Sequence, residues 1–134
     1  KLIEELIGRI VEVYGLSDGE SAVLREQIIQ REKQNSTGIG DGVAIPHGLV
    51  NIKRDDIMGV LSVIRSGVDF EAIDGKPVYL VMLIAVPQSM FATHVRVLAK
   101  AAHLLGNDEF RAKIMEANSE REIYEIIKEY EEFV

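Results

Sequence analysis

Cysteine is absent from this chain of 134 residues. That excludes a disulfide framework, a thiolate metal site and a cysteine nucleophile, and it is compatible with a reducing compartment. Histidine is scarce: three occur, and no two stand four residues apart. Zinc needs three or four converging ligands, so no metal is expected. Cations are outnumbered, with 15 Lys and Arg against 22 Asp and Glu for a net charge of −7. Binding nucleic acid requires clustered Lys and Arg, so no nucleic-acid partner is expected, whereas an acidic surface suits a basic protein. Long apolar runs are lacking as well. The longest spans residues 78–87, about half of what a membrane-crossing helix needs, so no membrane insertion is expected. No secretory signal opens the chain, and the expected location is cytoplasmic. The chain begins at Lys1 already inside a helical pattern, so upstream residues are expected to be missing or to belong to a longer polypeptide.

Two catalytic signatures are missing too. Ser36, Ser62, Ser66 and Ser89 lack a Gly-x-Ser-x-Gly nucleophile elbow. The run Gly38-Ile39-Gly40-Asp41-Gly42 is not followed by the lysine of an ATP-binding phosphate loop. A phosphoryl group handled by this chain would therefore arrive on another protein or a small donor.

What is present is enough hydrophobic residue, 47%, for one domain with a buried core. Leu2, Ile3, Leu6, Ile7, Ile10, Val13 and Tyr14 recur at helical spacing up to Gly15. Ser17 or Asp18 caps a second helix, burying Val23, Leu24 and Ile28 and ending near residues 34–35. Residues 43–45 read as a short strand and residues 57–64 as a longer one, with a separate extended piece at Val68 and Phe70. Asp74-Gly75-Lys76-Pro77 is a turn signal, and residues 78–86 form the strongest strand. Pro87 ends it, residues 88–92 read as a loop, and Thr93 caps a helix running to Leu105 with Gly106 as its stop. Asp108 starts a short helix ending near Asn118. Ser119 and Glu122 match a capping box for a last helix that buries Ile123, Ile126 and Ile127. Continuous apolar strands are buried on both faces, so the order predicts an α/β domain whose central sheet is covered by helices.

The chemistry concentrates in residues 37–48. His47 follows Pro46, which stiffens the backbone, and Gly48 leaves space beside the imidazole. The glycines at 38, 40 and 42 let the backbone approach an anion, and their N–H groups could form a nest for it. The same local pattern also fits a strand end and turn with a solvent-facing histidine. His94 lies in the first turn of its predicted helix, where an imidazole N–H could join the donors that favour anions, or stand simply exposed. His103 is nine residues further on, about half a turn round the helix, and so cannot share a site with His94. Arg31 lies in the last turn of the second helix, just upstream of the glycines.

Taken together, Arg31-Glu32, Ser36-Thr37-Gly38-Ile39-Gly40 and Ala44-Ile45-Pro46-His47-Gly48 resemble the signature of EIIA domains of the fructose/mannitol type in the bacterial phosphotransferase system (PTS EIIA type 2). This group includes the nitrogen-regulatory branch. Asp74-Gly75-Lys76-Pro77-Val78 before a hydrophobic strand, and a histidine opening the helix after that strand, extend the resemblance over residues 1–134 as a single domain, without the family's N-terminal segment. The resemblance implies a three-layer-like α/β sandwich with a central mixed sheet flanked by helices. It implies a phosphotransferase with a phosphohistidine intermediate and no cofactor. His47 would accept the group from phospho-HPr, or its nitrogen-branch homologue, and pass it to an EIIB partner in sugar uptake. His94 would bond the phosphoryl group, and Arg31 would stand close by. The Thr37 hydroxyl, Ser36 and the N–H groups at Gly38 and Gly40 are candidates for the remaining donors. A nitrogen-regulatory reading, in which the phosphorylation state controls a bound protein, uses the same residues. Val95, where the family commonly has leucine, and the apolar residues 88–92 depart from the pattern, the latter on the expected partner-facing surface.

Overall fold

Leu6, Ile7 and Ile10 place the buried face of helix α1 (Leu2–Tyr14) at three- and four-residue steps. Gly15 ends the helix at a φ of 63°, which glycine adopts without strain. A capping box opens helix α2 (Asp18–Gln34): Ser17 Oγ accepts from the Glu20 N–H at 3.2 Å, and the Ser17 N–H donates to Glu20 Oε1 at 2.9 Å. This computed structural model describes residues 2–34 and 37–131. The chain folds as two compact units, residues 1–94 and 95–134.

The first unit holds the sheet, with strands β1 (Gly38–Gly40), β2 (Val43–Ala44), β3 (His47–Val50), β4 (Met58–Val68) and β5 (Val78–Pro87). The sheet is mixed. β5 runs parallel to β2 and β3 and antiparallel to β4, while β1 pairs antiparallel with β2. Val43 pairs with Leu80 and His47 with Ile84, so β2 and β3 follow each other along one edge of β5. Pro46 has no N–H to give, yet its carbonyl still accepts from Ile84 N–H at 2.9 Å across the interruption. Val78, Val81, Leu83 and Ala85 of β5 pack with Leu6, Ile7, Ile10, Leu24 and Ile28 of the two helices in one core. The expected mixed sheet flanked by helices is therefore present.

Three local expectations change. Val68 is not a separate piece: β4 continues to it from Met58 and pairs Val68 with Val78. Residues 88–92 are not a loop. Gln88–Met90 form a 3₁₀ turn that runs directly into helix α3 (Phe91–Leu105). Thr93 is therefore not a cap, and its hydroxyl donates back to the Met90 carbonyl at 2.8 Å. The reason is that the helix already starts at Phe91, whose N–H bonds the Gln88 carbonyl, so Thr93 lies inside the first turn and not at the position of a cap.

The second unit is helical. After α3, Asn107 Oδ1 caps helix α4 (Asp108–Glu116) by accepting from Phe110 N–H at 2.9 Å. Ser119 Oγ accepts from Glu122 N–H at the start of helix α5 (Glu120–Glu131). Phe110 and Tyr130 meet edge to face with centroids 5.4 Å apart, and the Tyr130 hydroxyl donates to Glu109. Ile123, Ile126 and Ile127 are half-buried, and Tyr130 is the buried residue of α5.

Candidate functional site

Helix α2 lies against β3 because position 48 is glycine. A Cβ there would stand 3.2 Å from Ile28 Cδ1, tighter than ordinary packing allows. The space beside Gly48 is thus filled by α2 and not left open beside the imidazole as expected. Gln27 adds a polar tie, its Oε1 accepting from Asn51 N–H at 2.7 Å just past β3. One helical turn beyond Gln27, Arg31 brings Nη2 to 3.5 Å from His47 Nε2. Residues separated by 16 positions in the sequence therefore meet through the packing of one helix on one strand.

His47 opens strand β3 instead of following a strand end. Its Nδ1 lies 2.7 Å from the Ile45 carbonyl oxygen. A carbonyl can only accept, so Nδ1 carries the proton and Nε2 carries the lone pair. Nε2 is the nitrogen that faces Arg31. At 3.5 Å the guanidinium acts on it mainly as a nearby positive charge.

Thr37 is buried and turned to a different task from the one expected. Its hydroxyl approaches Glu32 Oε2 at 3.0 Å and Oε1 at 3.2 Å, and its N–H donates to Oε1 at 3.1 Å. The hydroxyl proton is thus held by Glu32 and is not offered to a phosphoryl group. Ser36 lies outside the described residues. Gly38 and Gly40 belong to a hairpin with β2, and Gly40, Asp41 and Gly42 turn with φ of 93°, 58° and 76°. The Gly42 carbonyl accepts from Tyr79 and Leu80 N–H. His47 pairs with Ile84, four residues further along β5 (84 − 80) and about 13 Å away at the rise of a strand. The turn also faces a carboxylate, since Asp41 N–H donates to Asp74 Oδ2 at 3.3 Å. Distance and charge both remove Gly40 from a phosphate nest at His47. Gly38 serves a close crossing, because a Cβ there would lie 2.8 Å from the Ala72 Cα.

His94 does join His47. The two rings stand 6.0 Å apart between centroids, tilted by 49°. His94 Nδ1 is buried and has no hydrogen-bond partner among the described residues. His103 is exposed on α3. Among the described residues no cluster of three or more His, Cys, Asp or Glu is arranged to hold a metal ion.

The pKa of His47 is lowered from the ordinary 6.5. Burial is the largest cause, and the Arg31 and His94 charges act the same way; the Ile45 hydrogen bond and Glu32 oppose them. The imidazole is therefore held neutral at physiological pH. A neutral Nε2 beside a cation is suited to take a group that brings negative charge with it, because the charge that disfavours imidazolium favours the product. Sequence reasoning missed the Ile45 carbonyl, since any backbone carbonyl looks alike in a sequence. Glu32 stood within the motif, but nothing local to it pointed to a task.

The family model described as "Phosphoenolpyruvate-dependent sugar phosphotransferase system, EIIA 2" matches residues 1–130. A nitrogen regulatory protein of Bradyrhizobium diazoefficiens is 36% identical over 125 residues, covering 93% of this chain and 79% of that protein. The fructose-specific EIIABC component of Bacillus subtilis is 35% identical over 97% of this chain, which spans 20% of that longer protein. The crystal structure of the nitrogen regulatory protein IIA-Ntr from Neisseria meningitidis superposes with a TM-score of 0.81 at 35% identity, covering 94% of this chain and 84% of that one. No helix among the described residues is long and apolar enough to cross a membrane. The buried sheet, the paired histidines and these matches agree: the chain belongs to the EIIA 2 family of the phosphoenolpyruvate-dependent sugar phosphotransferase system.

Proposed function

We propose that this chain is a cytoplasmic phosphoryl carrier, a single EIIA domain that accepts a phosphoryl group on His47 Nε2 from phospho-HPr and passes it to an EIIB partner in sugar uptake. The observation that carries the reading is the Nδ1–H bond to the Ile45 carbonyl, which leaves the Nε2 lone pair pointing toward Arg31. The name of the Bacillus subtilis relative, an EIIABC component, fits an EIIB partner.

In the first step the Nε2 lone pair forms the new N–P bond as the bond between phosphorus and the donor imidazole breaks. The bonding pair leaves with the donor. The proton stays on Nδ1, hydrogen-bonded to the Ile45 carbonyl, and Arg31 with His94 supports the phosphoryl oxygens. In the second step a nucleophile of the partner attacks phosphorus, and the N–P pair returns to Nε2. Both steps need a protein partner at the surface, and Phe91, 68% exposed three residues before His94, is a contact for it.

Phospho-HPr should add a single acid-labile phosphoryl group, detected by mass spectrometry and absent from His47→Ala. Labelling that persists in His47→Ala overturns the assignment. A second reading, in which phosphorylation controls a regulated protein, is favoured by the likeness to the Neisseria meningitidis nitrogen regulatory protein. It predicts that phosphorylated and unphosphorylated His47 differ in binding that protein, with no onward transfer to fructose-type EIIB.

A further inference from the structure

We propose that Glu32 is a positioning residue that frees the Ile45 carbonyl to fix the reactive tautomer of His47. The antiparallel register of β1 and β2 pairs Gly38 with Ala44, so the next pair outward is Thr37 with Ile45. An antiparallel pair of this kind exchanges two hydrogen bonds, one in each direction. Half of the exchange is present, since Ile45 N–H donates to the Thr37 carbonyl at 3.1 Å. The other half would take Thr37 N–H to the Ile45 carbonyl. That N–H donates instead to Glu32 Oε1 at 3.1 Å, and the Thr37 hydroxyl holds the same carboxylate at 3.0 Å and 3.2 Å. The Ile45 carbonyl is left to accept from His47 Nδ1–H at 2.7 Å.

The carboxylate thus diverts one backbone donor, and the carbonyl it leaves vacant directs the ring. With no acceptor at position 32, Thr37 N–H returns to Ile45 and competes with the imidazole. The ring then gains access to the Nε2–H tautomer, which has no lone pair at the nitrogen facing Arg31. Glu32 directly follows Arg31 on α2, so one helix turn supplies both the cation beside Nε2 and the anion that sets Nδ1.

The inference rests on the proposed role of His47 for its functional meaning but not for its test. ¹⁵N NMR of the imidazole, recorded on the full chain without any phosphoryl donor, reads the tautomer. The wild type and Glu32→Gln, which keeps one carbonyl oxygen for Thr37 N–H, should show the Nδ1–H form. Glu32→Ala should raise the Nε2–H population. Thr37→Val, which releases the carboxylate while keeping the backbone, should raise it less, and Thr37→Ser should restore the wild-type signal. Phosphoryl acceptance from phospho-HPr should fall about 10- to 100-fold in Glu32→Ala, as expected for a misoriented nucleophile. A folded Glu32→Ala with an unchanged tautomer overturns the proposal. If that variant does not fold, an unchanged tautomer in Thr37→Val does so. If phospho-HPr fails to label the wild type while the tautomer shifts as stated, the carrier reading falls and the positioning role stands.

Discussion

His47 Nδ1 and the Ile45 carbonyl oxygen are joined across two residues by a 2.7 Å hydrogen bond. Pro46 stands between them with its φ fixed by the ring, so the backbone cannot easily carry the carbonyl away from the imidazole. The bond leaves Nε2 as the nitrogen with the lone pair, 3.5 Å from Arg31 Nη2, while the imidazole rings of His47 and His94 stand 6.0 Å apart between centroids.

The first prediction concerns pH. The folded pKa of His47 is lowered, chiefly by burial, so the folded chain binds its proton less readily than the unfolded chain. The resulting stability is fully present above the unfolded value of 6.5 and is lost as pH falls through the lowered folded value. Phosphoryl acceptance should follow the same direction, level above 6.5 and declining only below it. Arg31→Gln removes one cause of the lowering and should move the His47 titration upward. An NMR titration placing wild-type His47 at or above 6.5 contradicts this.

Gly48→Ala should press a methyl group against Ile28, which is fully buried and has little room to yield. A cost of about 1–3 kcal/mol is expected from such overpacking, measured by denaturant unfolding. Transfer should slow because α2, and Arg31 with it, is displaced from β3. Adding Ile28→Val removes the clashing Cδ1 and should recover part of the rate. If the double variant is no faster than Gly48→Ala, the helix is not held in place by this contact.

Gly38→Ala and Gly40→Ala should act on stability and not on chemistry. The first forces a Cβ to within 2.8 Å of the Ala72 backbone, and the second places alanine at a φ of 93°. Each should cost about 1–3 kcal/mol. The folded fraction of Gly40→Ala should accept phosphoryl groups at the wild-type rate. A loss of rate at full folding would return the glycine turn to the site.

His94→Ala should leave the fold intact by circular dichroism. It should slow phosphoryl acceptance about a hundredfold, the usual cost of removing one oriented donor from a charge-stabilising site. A rate within about twofold of wild type would show that the second imidazole is a bystander.

By itself, the sequence determined the elements and the chemistry on offer. Helical spacing, a cap at Ser17 and the apolar run of β5 depend on neighbours within a few residues, and they reappear in the structure. Of the capping box at Ser119, the half from Glu122 N–H to Ser119 Oγ is formed, while the Glu122 carboxylate accepts from Asn118 N–H. The motif around His47 was legible for the same reason. A loop at residues 88–92 and a cap at Thr93 are the natural reading of that stretch, and it fails because a 3₁₀ turn leaves no distinctive residue pattern. Only the tertiary structure decided which residues meet. Strand register separates the glycine turn from His47 by about 13 Å, though the two are neighbours in the chain. Helix packing at Gly48 and the strand-to-helix turn after Pro87 bring in Arg31 and His94 from opposite directions in the sequence. The diversion of Thr37 N–H to Glu32 was invisible in the sequence for a simple reason. It is a choice between two acceptors for one backbone donor, and both come within reach only once β1, β2 and α2 are assembled.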